Sequence, residues 1–163
     1  MVSRIGVHAS VGALFPPSEL RDALAGVDAP VEVVETADDL ADCDAIVTFE
    51  YDESLLEADL RWIHSVQSGV DRFPFDELEA RGIRLSSSRG IHGDSVGETV
   101  VGYMLQFARR LHRHRDRERD REWRYPDWDE TFTIDGESCC VVGLGTLGRG
   151  IASRADALGA DVV

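Results

Sequence analysis

The sequence contains no lysine, so all 17 basic residues of this 163-residue chain are arginines. Against them stand 31 acidic residues, which give a formal net charge of −14. A chain this acidic repels phosphate backbones and anionic lipids, so general binding to nucleic acids or membranes is disfavoured. An acid-rich chain without lysine is typical of salt-adapted cells, and we expect a halophilic archaeal source. An acidic protein from a GC-rich genome is the alternative.

Cysteine is scarce, and long apolar runs are absent. Cys43, Cys139 and Cys140 have neither the spacing of a zinc site nor the even number of a disulfide framework. We expect them to be small buried apolar residues in a reducing cytosol, and we expect no metal site. The N-terminus lacks the apolar segment of a signal peptide, and no run approaches the roughly 18 apolar residues that span a membrane. These absences predict a cytoplasmic protein with no membrane partner.

Five apolar runs before residue 90 have the length of strands. They are Arg4–Ala9, Val31–Glu35, Asp44–Phe49, Arg61–Val66 and Ile83–Ser86. Segments of helical character separate most of them, at Ser18–Gly26, Glu53–Ala58 and Phe75–Arg81. Ser18 is a predicted N-cap, and Gly26 and Gly82 are predicted helix ends. Alternating strands and helices indicate a parallel sheet, so residues 1–90 are predicted to form one flavodoxin-like α/β domain.

Residues 91–163 begin with a predicted long helix that links the two halves of the chain. Ser95 and Glu98 have the spacing of a capping box, with Asp94 as an alternative cap. An amphipathic stripe then follows at Val96, Val100, Met104, Phe107 and Leu111. We expect this helix to run without a break to about Arg121.

The only basic cluster lies at the end of this helix, where Arg109–Arg124 holds eight arginines and four acidic residues. Nucleic-acid binding is one reading of the cluster. We favour a solvated helix whose charges pair at i,i+3, because acidic residues interleave with the arginines. The favourable pairs are Arg113–Asp116, Arg115–Glu118, Arg117–Asp120 and Arg119–Glu122. Trp123, Tyr125 and Trp128 follow in a loop that is either a packed aromatic anchor or an interface.

A glycine motif near the C-terminus carries the clearest chemical signal. A predicted strand, Ser138–Val142, precedes Gly143, Gly145 and Gly148, a helix spans Thr146–Leu158, and a second strand begins at Asp161. In such a turn the first glycine permits the bend, the second admits a pyrophosphate and the third packs against the strand. The amides near Thr146 and Leu147 then face the phosphates at the positive end of the helix. A glycine-rich turn that binds no dinucleotide is the alternative.

Three motifs in order resemble the NAD(P)-dependent D-isomer-specific 2-hydroxyacid dehydrogenases. They are WIHSVQSGVDRF, RLSSSRGIHGDSVGETVVGYMLQFARRL and CCVVGLGTLGRGIASRADALGADVV. The resemblance implies a substrate-binding first domain at residues 1–90 and the truncated start of a Rossmann NAD(P)-binding domain at residues 91–163. It implies a hydride transfer between NAD(P)H and a small 2-keto or 2-hydroxy acid, and a homodimer when the enzyme is complete.

The resemblance also assigns binding residues. Gln67, Ser68 and Gly69 match the loop whose backbone amides receive the substrate carboxylate, and Ser68 lies near the nicotinamide end of the cofactor. Gln67 stands where the family often has glycine. Val100 matches a helix residue that touches the cofactor, and the phosphate turn is Gly143, Gly145, Thr146, Leu147 and Gly148.

The family's catalytic arginine, acid and histidine have no counterpart in this chain and are expected beyond Val163, as is the residue that selects NAD or NADP. The histidines at positions 8, 64, 92, 112 and 114 match none of these positions. We therefore expect a fragment without activity. The alternatives are a non-catalytic NAD-binding module, as in the family's corepressor-like members, and a nucleic-acid-binding protein that uses the Arg-rich helix.

Overall fold

The computed structural model describes residues 2–163, which divide into one compact unit that ends at Arg89 and a second that spans Gly90–Val163. The first unit is a five-stranded parallel sheet in the order β2-β1-β3-β4-β5. Its strands are β1 (Ile5–His8), β2 (Val31–Val34), β3 (Ala45–Thr48), β4 (Trp62–Ser65) and β5 (Arg84–Ser87). This order is that of flavodoxin-like folds, so the predicted parallel-sheet α/β fold is confirmed.

Four short helices connect these strands. They are α1 (Pro17–Ala23), α2 (Ala37–Leu40), α3 (Ser54–Glu57) and α4 (Phe75–Ala80), and a 3-10 helix spans Ala9–Ala13. The core lies where these helices cover apolar strand residues such as Ile46 and Ile63, both almost fully buried. Leu40, Leu55 and Leu78 contribute one buried side chain each from α2, α3 and α4.

Two helix-end predictions in this unit are wrong. Ser18 lies inside α1, because Pro17 occupies the first turn, where a missing N–H costs nothing. The same helix ends at Ala23, before Gly26. Gly82 does follow the end of α4, with a φ of +70°. The helix α2 was not predicted, although Thr36 and Asp39 form a capping box at its start.

The long helix of the second unit is broken in two, contrary to the prediction. It consists of α5 (Gly93–Ala108) and α6 (Leu111–Arg119). Between them Arg110 adopts a left-handed conformation, with φ +52°. Its guanidinium lies 4.6 Å from the Phe107 ring centroid, and its Nε donates to the Glu130 carbonyl oxygen at 3.1 Å. These two contacts favour the turn over continuation of the helix.

The predicted capping box at the start of α5 is also wrong. His92 is the N-cap, no side chain caps the helix, and Ser95 lies within the first turn, where its hydroxyl donates to the His92 carbonyl. The buried face departs from the predicted stripe as well. Gly97 and Ala108 are buried, whereas Phe107 is 58% exposed. Helix α5 therefore packs through small residues.

The predicted i,i+3 ion pairs of α6 do not form within residues 2–163. Instead Arg113 pairs with Glu130, which lies in the segment that follows the helix. The hydrogen bond from the Asp127 amide, followed by that from Arg113, lowers the pKa of the Glu130 carboxyl. The aromatic loop is not a packed anchor, because Trp123 and Trp128 are 89% and 93% exposed. The interface reading stays a prediction.

The chain closes with β6 (Ser138–Cys139), α7 (Thr146–Ala157) and β7 (Asp161–Val162). The two strands pair in parallel, which confirms the predicted βαβ start of a Rossmann sheet. Strand β6 is shorter than predicted, and Val142 is 97% exposed. Cys140 is exposed too, so the prediction of three buried cysteines holds only for Cys43. No helix within residues 2–163 is long and apolar enough to cross a membrane.

Candidate functional site

The glycine turn between β6 and α7 has the conformation that the motif requires. Gly143 has a φ of +94°, a region that side chains with a Cβ rarely adopt. A Cβ at position 148 would overlap the Gly143 carbonyl oxygen and lie 3.0 Å from the Gly143 carbonyl carbon. At Gly145, by contrast, a Cβ would meet no atom within 4 Å, so the space beside this backbone is open. The turn is therefore tight on the side of the strand and open at Gly145.

The first turn of α7 leaves its backbone donors free. Within residues 2–163, the N–H groups of Thr146, Leu147 and Gly148 donate no hydrogen bond, and no side chain caps the helix. Such unpaired donors add to the positive end of the helix dipole and favour an anionic ligand. Arg149 stabilises the turn, because its Nη1 donates to the Leu144 carbonyl oxygen at 2.6 Å.

Close helix packing positions this turn. Gly97 and Gly93 of α5 lie against Gly150 of α7, where a Cβ at position 150 would lie 2.7 Å from the Gly93 carbonyl carbon. Thr146 also packs near Gly93, since a Cβ there would be 3.0 Å from the Thr146 carbonyl oxygen. Val100 is half-buried on the same helix. The glycine face of α5 therefore lets the amino end of α7 approach closely, a feature that periodicity alone did not reveal.

The loop Gln67–Gly69 follows β4 at the carboxyl end of the sheet in the first unit, the edge where open α/β sheets bind ligands. The Gln67 amide donates to the Ser65 hydroxyl at 3.2 Å. The Ser68 hydroxyl donates to the Ser88 carbonyl oxygen at 3.0 Å. Among residues 2–163, the backbone N–H groups of Ser68 and Gly69 have no acceptor. The loop thus offers two free donors rather than three.

Arg72 organises this loop, a role that was not predicted although the residue lies within the motif WIHSVQSGVDRF. Its guanidinium donates to oxygens of Phe49, Ser65, Gln67 and Gly69. An arginine that bonds backbone carbonyls leaves no periodic pattern, which is why sequence reasoning did not select it.

The histidines form no site of their own. His64 is held between the hydroxyls of Ser86 and Ser88, at 2.9 and 3.1 Å, and burial lowers its pKa. His8 bonds the Ser10 hydroxyl at 2.8 Å. Within residues 2–163 no three residues among His, Cys, Asp and Glu are grouped to hold a metal ion.

A family model described as D-isomer specific 2-hydroxyacid dehydrogenase, NAD binding domain, matches residues 101–163. The glyoxylate reductase/hydroxypyruvate reductase of Mus musculus is 32% identical over 108 residues, which cover 63% of this chain and 33% of that protein. This chain therefore spans about a third of that curated relative.

Solved structures show the same fold. The NAD-complexed D-isomer specific 2-hydroxyacid dehydrogenase of Lactobacillus delbrueckii ssp. bulgaricus superimposes with a TM-score of 0.79 at 17% identity, over 98% of this chain and 52% of that one. The D-lactate dehydrogenase of Aquifex aeolicus, in complex with NAD and lactic acid, gives 0.71 at 18% identity, over 97% and 50%.

The turn Gly143–Gly148 lies within the matched segment, and its free amides and open Gly145 fit a dinucleotide pyrophosphate. Residues 101–163 are thus similar to the NAD-binding domain of the D-isomer-specific 2-hydroxyacid dehydrogenases, and this similarity supports NAD(P) as the cofactor.

Proposed function

We propose that this chain is a portion of an NAD(P)-dependent D-2-hydroxyacid dehydrogenase that transfers a hydride between the nicotinamide and a small 2-keto or 2-hydroxy acid. The observation that carries this proposal is the glycine turn, with three unpaired amides at the start of α7, inside the segment that matches the NAD-binding domain model. When bound, the nicotinamide supplies or accepts the hydride.

In this proposal, residues of the chain bind the cofactor pyrophosphate and the carboxylate of the substrate and orient both groups. Thr146, Leu147 and Gly148 present their amides to the pyrophosphate, and Gly143 and Gly145 shape the turn that admits it. Ser68 and Gly69 present theirs to the carboxylate of the acid. Of the predicted substrate residues, Gln67 supports the loop rather than the acid, because its amide donates to Ser65 and its side-chain oxygen accepts from Arg72. Val100 remains a proposed cofactor contact.

We further propose that this chain alone is catalytically inactive. The family's acid–base histidine and its arginine have no counterpart in the motifs of this chain. The sheet of the second unit has two strands, and Val142 and Val163, at 97% and 75% exposed, have no cover on it. A complete enzyme buries such residues between helix layers.

Titration of the chain into NADH and NADPH, followed by cofactor fluorescence, tests the first proposal. We expect saturable binding, and we expect no turnover above background with glyoxylate or hydroxypyruvate. Absence of binding by the native chain would contradict the cofactor assignment, whereas measurable turnover would contradict the proposed inactivity.

We also propose a cytoplasmic protein of salt-adapted cells, which forms a homodimer when complete. The exposed Trp123, Tyr125 and Trp128 are the proposed contact. No observation favours the corepressor-like or nucleic-acid alternatives, since the arginines of α6 stand among acidic residues.

A halophilic origin predicts that KCl stabilises the fold. Residues 1–90 hold 18 acidic residues and seven arginines, so self-repulsion in the first unit is strong at low salt. Raising KCl to molar concentration shortens the Debye length to about 3 Å and screens this repulsion. We expect the Tm to rise steadily with KCl. A Tm that stays constant or falls would favour the GC-rich alternative.

A further inference from the structure

One arginine joins the carboxyl ends of β3 and β4, next to the proposed substrate loop that follows β4. The Nη2 of Arg72 donates to the Phe49 carbonyl oxygen at 2.6 Å and to the Ser65 hydroxyl at 2.8 Å. Phe49 follows β3 and Ser65 ends β4, so this nitrogen ties neighbouring parallel strands together at their carboxyl ends. The guanidinium therefore has a fixed place at the edge where ligands bind such sheets.

The other arm of the same guanidinium holds the loop itself. Its Nη1 donates to the Gly69 carbonyl oxygen at 2.8 Å and to the Gln67 side-chain oxygen at 3.0 Å. Four hydrogen bonds from one planar group fix four oxygen atoms relative to each other. The loop from Gln67 to Gly69 is thus anchored to the sheet at both of its ends.

The bond from Arg72 to the Gly69 carbonyl also fixes the orientation of the next amide, that of Val70. The described chain has no cis peptide bond, so the N–H of Val70 points opposite to the Gly69 carbonyl and away from Arg72. Ser65 Oγ accepts from the Gln67 amide as well as from Arg72, so the first peptide of the loop is held by the same contacts. The Ser68 and Gly69 amides, which have no acceptor among residues 2–163, lie between these fixed points.

The charge of Arg72 has no carboxylate partner. Within residues 2–163 its guanidinium forms no ion pair within 4 Å, although the surrounding unit is strongly acidic. All four of its acceptors are neutral oxygens, its Nε is buried without a partner, and its Cζ lies 4.9 Å from the Phe73 ring centroid. A half-buried cation without a counter-ion favours a bound anion beside it.

We propose that Arg72 is the positioning residue of this carboxylate-binding loop. It restrains the loop that carries the Ser68 and Gly69 amides by holding the Gln67 side-chain oxygen and the Gly69 carbonyl oxygen, and its positive charge favours a carboxylate in an otherwise acidic unit. This inference rests on the proposed function, because it takes the loop as the place where the acid substrate binds.

The test is an NMR titration of the full ¹⁵N-labelled chain with oxamate, an inert carboxylate with the shape of a small 2-keto acid, at constant ionic strength maintained with NaCl. In the native chain we expect saturable shifts at the Ser68 and Gly69 amides. The Arg72→Met variant is expected to raise the Kd about tenfold or more, and Arg72→Lys, which keeps the charge but loses the planar fork, about threefold. Arg21→Met is the matched control, because this exposed arginine pairs only with its neighbour Asp22.

The amides of Ile46 and Ile63 report whether the core of each variant is folded. If Arg72→Met does not fold, the Kd for oxamate is measured in Arg72→Lys and Gln67→Met instead, because each of these variants removes only part of the hydrogen-bond set. A native Kd in both variants would overturn the inference. Equal affinity in the native chain and a folded Arg72→Met variant would overturn it too, and would leave the dehydrogenase proposal intact. Absence of carboxylate-specific shifts in the native chain would overturn both this inference and the loop's proposed role.

Discussion

Replacing Gly148 with alanine is expected to weaken cofactor binding at least about tenfold while leaving the first unit unaffected. The new Cβ would overlap the Gly143 carbonyl oxygen and lie 3.4 Å from a methyl group of Val141. Both neighbours belong to the segment between β6 and α7, so the start of the helix must move away from this segment. The three free amides at the start of α7 then shift relative to the open space beside Gly145. We expect the Kd for NADH to rise more than about tenfold as a result.

The Gly148→Ala substitution is also expected to destabilise α7, whereas helix propensity alone would predict that alanine stabilises it. In an open helix position, glycine to alanine stabilises by about 0.5–1 kcal/mol. Gly102→Ala provides that case within the same unit, since nothing lies within 4 Å of its Cβ. NADH titration of both variants checks the prediction. Native affinity in Gly148→Ala would show that the tight turn is not needed for binding.

Replacing Gly150 with alanine is expected to destabilise the second unit by about 2 kcal/mol, a typical cost of overpacking. The Cβ would overlap the Gly93 carbonyl oxygen, and Gly97 approaches the Gly150 carbonyl from the same side. Because these neighbours are backbone atoms of α5, no side chain can rotate away. The helices must separate, and their packing is the main support of this unit.

The second unit has only a small buried core to offset such a loss of stability. Its buried cluster consists of Ala108, Ile134, Ala155 and Ala160, which is far smaller than the core of the first unit. Hydrogen exchange measured residue by residue should show faster exchange in α7, whereas Ile46 and Ile63 keep native protection. Equal protection in native chain and Gly150→Ala would contradict the close packing of α5 against α7.

The sheet of the first unit was predictable because β1 to β4 are short runs that contain buried apolar residues. Four of the five predicted runs contain a whole strand, and the fifth, Ile83–Ser86, overlaps β5; the parallel order follows from the helical segments between them. The glycine turn was predictable for a related reason. A positive φ at Gly143 and the close approach at Gly148 demand glycine at fixed spacing, so the backbone requirement is visible in the sequence.

Other features depend on tertiary contacts that local patterns do not contain. The helix break at Arg110 needs the Glu130 carbonyl, which lies 20 residues away in the chain. Two of the four acceptors of Arg72 are backbone carbonyl oxygens, which every residue has, so these two partners carry no sequence signature. The small-residue face of α5 has little hydrophobicity, and the periodic stripe therefore pointed to larger residues that stay exposed, such as Phe107.

Mapping of NADH onto the amide resonances of the full chain is the sharpest test of the glycine turn as a dinucleotide-binding site. We expect titration to shift the Thr146, Leu147 and Gly148 amides together, because they are the unpaired donors at the start of α7. Gly102, in open helix surface, is expected to stay unchanged. Saturable shifts confined to other residues, or no shifts at any NADH concentration, would contradict the assignment of this turn as a dinucleotide-binding site.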